Sequence, residues 1–321
     1  GKNIGKFNVE NCNFIGNEYF NTMIFVYNKV ETVISNCVFD QQLESWLIYF
    51  DSPTGCDITI TDCEIYNTNS AIYTHNGARN VFLRNIKYVN SSIGELSQTP
   101  TITGTLYLEN IYAKGCQRIA NAANIAGGVV ARNIYIEDCY DGFYFNTGVK
   151  DIEMENITIK NVIRYGIYSN ATWNAPRSIF AQNVKIQSVK NNNALYLRYS
   201  NFYGENVKID DAYIAIDFMG GSLCNVDINS SYIGMYVYND TNSENHIENV
   251  TINNSRLNGI EYLYYTESRR LNLFVNVKIS NSYRYGFLDT TNRYSNNLVF
   301  ENCIFETGQY GYYRWYSSYY N

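Results

Sequence analysis

At 321 residues the chain has room for two ordinary domains or one long repetitive one. Its 46 Asn, 32 Tyr and only three Pro argue against a helical bundle, because Asn suits turns and left-handed backbone while Tyr suits strands. A net charge of −6 excludes the basic footprint of a nucleic-acid binder, and no run of 18 apolar residues exists to cross a membrane as a helix.

The eight cysteines include no CxxC pair and there are two histidines, so no zinc arrangement, other metal or cofactor is expected. The chain opens on Gly1 without a signal peptide, as a processed product or a segment excised from a longer protein does. Sequons stand at Asn90, Asn156, Asn170, Asn229, Asn239, Asn249 and Asn253.

Taken in chain order, one short word recurs: Asn or Asp followed by apolar-x-apolar. It reads NCNF at Asn11, NCVF at Asn36, DCEI at Asp62, NIKY at Asn85 and NIYA at Asn110. It continues as NIYI at Asn133, NITI at Asn156, NVKI at Asn183, NVKI at Asn206 and NVDI at Asn225. It closes with NVTI at Asn249, NVKI at Asn276 and NCIF at Asn302. The intervals run from 19 to 27 residues, a period that marks a repeat architecture.

Each period holds three alternating runs. One precedes the Asn and one follows it. A third comes about ten residues later and usually opens on Gly or Ala, as in GFYFN, GIYSN, ALYLR, AIDFM, GMYVY and GIEYL. The period is too short for a propeller blade, the GGxGxD calcium word is absent, and leucine is too sparse for a leucine-rich repeat. Three parallel strands per coil remain. With these features the chain resembles the right-handed parallel β-helix superfamily, which includes pectate lyases, phage tailspikes and many surface proteins. The resemblance covers essentially the whole sequence. It implies an all-β solenoid of about 13 coils of about 24 residues, forming one domain over residues 1–321.

The recurring Asn is read as a corner. A sharp bend needs left-handed backbone, which Asn tolerates, and stacked amides can bond from coil to coil. The expected ladder is Asn11, Asn36, Asn85, Asn110, Asn133, Asn156, Asn183, Asn206, Asn225, Asn249, Asn276 and Asn302, with a local break at Asp62. Asn156 and Asn249 are then withdrawn as glycan acceptors, leaving Asn90, Asn170, Asn229, Asn239 and Asn253. Cys12, Cys37, Cys63 and Cys303 follow their corners directly and are expected to point inward as small apolar side chains. Cys116 and Cys139 match in phase beside a turn, where a disulfide is more plausible.

The resemblance implies that the third strand carries the ligand-binding face. Counting from its Gly or Ala, positions one and three should be buried, and two and four exposed. That places Tyr49, Tyr73, Tyr144, Tyr168, Tyr196, Tyr236 and Tyr313 in one outer column, with Trp315 in the next. Such a column suits sugar stacking or a contact between proteins, and it equally fits a plain side-chain ladder. The column fails in the fourth and fifth coils, around the small-residue stretch 113–133.

For catalysis, the pairs available are Asp217 with Glu261 and Asp51 with His75. The residue patterns of polygalacturonases and of epimerases are absent. The leading expectation is a non-catalytic structural or adhesive protein of the extracellular space, cell surface, filament or virion. Its partners would be a polysaccharide or glycoconjugate, or copies of itself. The alternative is a polysaccharide lyase or glycoside hydrolase of the same fold.

Overall fold

A computed structural model describes residues 5–314, apart from 17–21, 28, 41–45, 52–53, 69, 76, 91–94, 119, 173–176, 240–243, 265–269 and 291–297. At 46, 70–71, 75, 95–101, 120–124, 239 and 264 only the backbone is described. The described chain is strand throughout, with every strand pairing parallel to the equivalent strand one coil away. Among the described residues, no helix is long and apolar enough to cross a membrane. The chain divides into two compact units, Gly1–Ile163 and Arg164–Asn321, each built from the same repeat.

In the first unit, Val81–Val89, Leu106–Lys114 and Val129–Glu137 show the coil plan. Each contains two short strands joined at one residue. The pairing register runs unbroken on both sides of that residue: Glu109 opposes Arg84 and Arg132, and Ile111 opposes Ile86 and Ile134. Alternate residues turn inward and stack on their equivalents. Ile58, Val81, Leu106, Val129 and Ile152 form one buried column, and Ile86, Ile111, Ile134 and Ile157 another. In the second unit the same plan stacks Val184, Val207, Val226 and Val250, beside Ile186, Ile209, Ile228 and Ile252.

All thirteen corner residues adopt φ between 51° and 56°, Asp62 included. Amides then bond in one direction, each Nδ2 donating to the Oδ1 of the preceding corner. In the first unit Asn36 donates to Asn11 at 2.5 Å, Asn85 to Asp62 at 2.8 Å and Asn110 to Asn85 at 2.8 Å. Asn133 follows on Asn110, and Asn156 on Asn133, both at 3.0 Å. In the second unit Asn206, Asn225, Asn249 and Asn276 each donate to the corner before at 2.9–3.4 Å. Asp62 accepts from Asn85 but, having no N–H, donates nothing to Asn36. The ladder therefore breaks on one side of Asp62 only. Asn302 shares the backbone conformation without a ladder bond.

A second left-handed column lies five residues downstream of the first. It comprises Asn67, Asn90, Gly115, Asp138 and Asn161 in the first unit. Ser188, Asp211, Ser230, Asn254 and Asn281 continue it in the second. Asn90 donates to Asn67 at 3.4 Å, Asn161 to Asp138 at 3.2 Å and Asn281 to Asn254 at 3.2 Å. The third strand begins after this second turn. At Gly234, Gly259 and Gly286 an added Cβ would meet the carbonyl oxygen of the next coil at 2.4, 2.7 and 2.6 Å. Close approach of backbones, not turn flexibility, is why the third strand opens on glycine.

About ten turns are regular, fewer than the thirteen coils expected. Register shifts interrupt pairing between Glu95–Ile102 and Ala120–Ile125, between Ala120–Ile125 and Phe143–Val149, and between Lys278–Ser282 and Ile304–Thr307. The last of these falls at Asn281, a residue of the second left-handed column.

Replacing a corner tests the account. Asn133→Ala is expected to destabilise by about 2–3 kcal/mol, adding a left-handed penalty of about 1–2 kcal/mol to the loss of partly exposed amide bonds. Asn133→Gly should cost less than Ala because it keeps the backbone and loses only the amide. Urea unfolding of both variants measures the difference.

Candidate functional site

The third strands place runs of the named residues in register, Phe25 to Tyr73 in the first unit and Tyr168 to Tyr313 in the second. In the first unit Phe25 opposes Tyr49, which opposes Tyr73. Their rings stack at 4.9 and 4.8 Å with interplanar angles of 4° and 17°. Burial, then the neighbouring Tyr73 and Asp51, push the Tyr49 phenol above its ordinary value. Asp51 opposes His75 in register. The His75 side chain lies outside the described residues, so the pair is placed by backbone alone. Tyr144 sits under the Arg118 guanidinium at 4.6 Å, and Arg118 Nε donates to the fully buried Asp141 at 3.1 Å. Between Tyr73 and Tyr144, the small side chains 120–124 lie outside the described residues.

In the second unit the column runs Tyr168, Tyr196, Asp217, Tyr236, Glu261, Leu288 and Tyr313 in continuous register. Tyr168 and Tyr196 stack at 4.9 Å and 8°, and Tyr165 tilts against both. Tyr313 stacks on Tyr285 at 5.0 Å. Trp315 lies outside the described residues.

Positions one and three are buried as the alternation requires as far as Asp289, whereas Tyr312 in the last coil is exposed. At positions two and four Phe25, Tyr27 and Tyr313 are exposed as expected, but the stretch between them is not the open face expected. Tyr49, Tyr73, Tyr144, Tyr168, Tyr196 and Tyr236 are half-buried, while Asp217, Met219, Tyr238 and Leu288 are buried. Large rings at strand spacing cover one another, and shorter side chains among them are closed over. The stack uses up the ring faces, leaving edges and hydroxyl ends toward solvent.

Arg198 is the centre of the second-unit face. Its Nε and Nη2 donate to the two Asp217 carboxylate oxygens at 3.4 Å, and Nη2 also donates to the Tyr238 hydroxyl at 2.8 Å. The guanidinium lies 5.1 Å from the Tyr196 and Tyr238 ring centres. Asn193 Nδ2 adds a further bond to Asp217 at 3.1 Å. Burial raises the Asp217 carboxyl, with Arg198 and Asn193 opposing that shift. Burial likewise pushes the Tyr238 phenol up to about 12.

The two acids read as a catalytic pair do share a column, with Tyr236 between them. Two strand spacings separate their backbones by about 9.6 Å. Asp217 is 2% exposed and its carboxylate takes three hydrogen bonds from Arg198 and Asn193, an arrangement ill suited to activating a water. Glu261 is half-buried, raised by burial, and accepts from Asn258 Nδ2 at 2.6 Å, which with Arg284 opposes the rise. Among the described residues, no group of three or more His, Cys, Asp or Glu could hold a metal ion.

The remaining sequence expectations sort as follows. Cys116 and Cys139 occupy successive coils as buried thiols outside any disulfide, with the Cys116 N–H donating to Cys139 Sγ at 3.3 Å. Where the sequence leaves a disulfide open, the structure has two thiols linked through a backbone N–H, because stacked side chains run parallel. Cys37 and Cys63 are buried as expected, and burial pushes the Cys63 thiol up to about 12. Asn90 is a corner of the second ladder, so its amide nitrogen is as engaged as those of Asn156 and Asn249. Asn229 and Asn253 accept from Asn254 and Ser280. Asn170 is half-buried in the third-strand face opposite Arg198. The Asn239 side chain lies outside the described residues.

No protein-family model matches the chain, and no curated protein matches it. Among solved structures, it is similar to the A-module of the mannuronan C-5 epimerase AlgE6 of Azotobacter vinelandii, at 13% identity. The match covers 94% of this chain and 88% of that one, with a TM-score of 0.31.

A test of the electrostatics follows from Glu261. A carboxyl raised on folding binds its proton more tightly in the folded state. Its penalty is absent below the ordinary Glu range and grows as pH rises through that range to the folded value. Glu261→Gln is expected to raise the thermal midpoint at neutral pH and to leave it unchanged in acid. Melting curves across that interval check it.

Proposed function

We propose that the chain is a non-catalytic β-solenoid of an extracellular, cell or virion surface that binds extended polysaccharide along its tyrosine-rich third-strand face. The observation that carries the reading is the in-register column Tyr168–Tyr196–Asp217–Tyr236. It offers a ligand repeated phenol edges at strand spacing, while its most central acid is buried in an ion pair. A row of hydroxyl ends at that interval suits hydrogen bonding to successive sugars of an extended chain. Self-association belongs to the same proposal as a second use of exposed aromatic surface.

One observation favours the catalytic alternative. Glu261 is raised and half-open beside Tyr236, and a raised carboxyl is what a general acid requires.

Incubation with a panel of acidic and neutral polysaccharides separates the two. The expected outcome is binding without chain shortening or unsaturated products. Converting both Tyr168 and Tyr196 to Phe keeps the stack and removes two hydroxyls, and should weaken binding about tenfold. Cleavage that disappears in Asp217→Asn or Glu261→Gln would overturn the non-catalytic reading.

A further inference from the structure

A different pair of tyrosines, at the edge of the third-strand face and near Tyr236, has a geometry suited to covalent chemistry. Tyr213 lies two residues past the second-column corner Asp211, and Tyr232 two residues past the equivalent Ser230. Both precede the third strand, where Ile214 opposes Ile233. The turns are tied together by the Tyr232 N–H donating to the Ala212 carbonyl at 3.0 Å. The rings stack at 5.0 Å with only 3° between their planes. Tyr213 is 47% exposed and Tyr232 half-buried, so solvent-borne reagents reach the stack.

We propose that Tyr213 and Tyr232 form a dityrosine crosslink between successive coils when the protein meets a peroxide-driven one-electron oxidant. Each phenol gives up one electron and its hydroxyl proton, leaving a radical shared between the oxygen and the ring carbons beside it. Two such carbons join in a new carbon–carbon bond. Each then passes its hydrogen back to a phenol oxygen, restoring both hydroxyls. The pair has lost two electrons and two protons overall, and one hydrogen peroxide takes them up to become two waters. Coupling within the stack outruns coupling between molecules because the partner ring is held at contact distance.

The molecule holds its own controls. Phe180 and Tyr203 stack at 5.0 Å and are 47% and 40% exposed, but only one member is a phenol. Tyr283 is 68% exposed and stacks on no ring among the described residues. Exposure alone would favour Tyr283; among stacked phenols, Tyr49–Tyr73, Tyr112–Tyr135 and Tyr168–Tyr196 have no exposed ring and Tyr285 is buried under Tyr310 and Tyr313, which leaves Tyr213 and Tyr232 as the near-parallel pair open to reagents. The inference does not depend on the polysaccharide reading.

The test treats the dilute full chain with a haem peroxidase and hydrogen peroxide, follows dityrosine fluorescence, and maps crosslinked peptides by mass spectrometry. The expected product is a Tyr213–Tyr232 peptide pair lacking two hydrogens, at a yield independent of protein concentration. Tyr213→Phe and Tyr232→Phe, which keep the stack, should each lower the concentration-independent dityrosine fluorescence by about tenfold or more. Tyr283→Phe should leave it unchanged. Coupling that rises with protein concentration and maps to Tyr283, or total dityrosine fluorescence untouched by either Phe variant, would overturn the proposal.

Discussion

The fold depends on one local constraint: the chain must turn within a single residue, at the same place in every coil. Only left-handed backbone achieves this between two strands that stay in register on both sides of the bend. A side chain at such a residue projects from a fixed corner, so equivalent corners stack. Asn meets both demands, tolerating the conformation and supplying an amide that can give and receive. Once the corners are aligned, Val184 and Ile186 meet Val207 and Ile209 without further instruction, while Lys185 is left to solvent.

That constraint is why so much of the architecture was readable. An Asn followed by alternating apolar residues states the corner, the inward direction and the register together. The second left-handed column escaped notice because its occupants vary among Asn, Asp, Ser and Gly. Yet NIKYVN, NITIKN, NVTINN and NVKISN each end on it, five residues after the first Asn. Glycine at the third strand was readable as a marker but not as a cause. The cause is the carbonyl of the next coil, which no single coil's sequence contains.

The candidate site was legible as a column and illegible as a surface. Alternation predicts which side of a strand faces outward, but not how far neighbouring rings close over one another. Asp217 shows the difference. In sequence it is one acid in a row of tyrosines, available for chemistry. In the structure Arg198, Tyr238 and Asn193 enclose it, so the same residue becomes an anchor for the guanidinium beside it. A buried pair of this kind contributes little net stability, but removing either partner strands the other, so it fixes the local arrangement.

The one-way direction of the amide ladder has an electrical consequence. Because every Nδ2 points to the preceding corner, the side-chain dipoles add along each run, and aligned hydrogen bonds polarise one another. Each run is thus a small macrodipole lying outside the backbone, with its positive end at the lower-numbered corner. Asp62 begins the run that continues through Asn85, Asn110, Asn133 and Asn156. Its negative charge sits at the positive end, as an acidic residue does at the start of a helix. The single departure from Asn among the thirteen corners acts there as a cap, with the break in the chain of bonds as its other face.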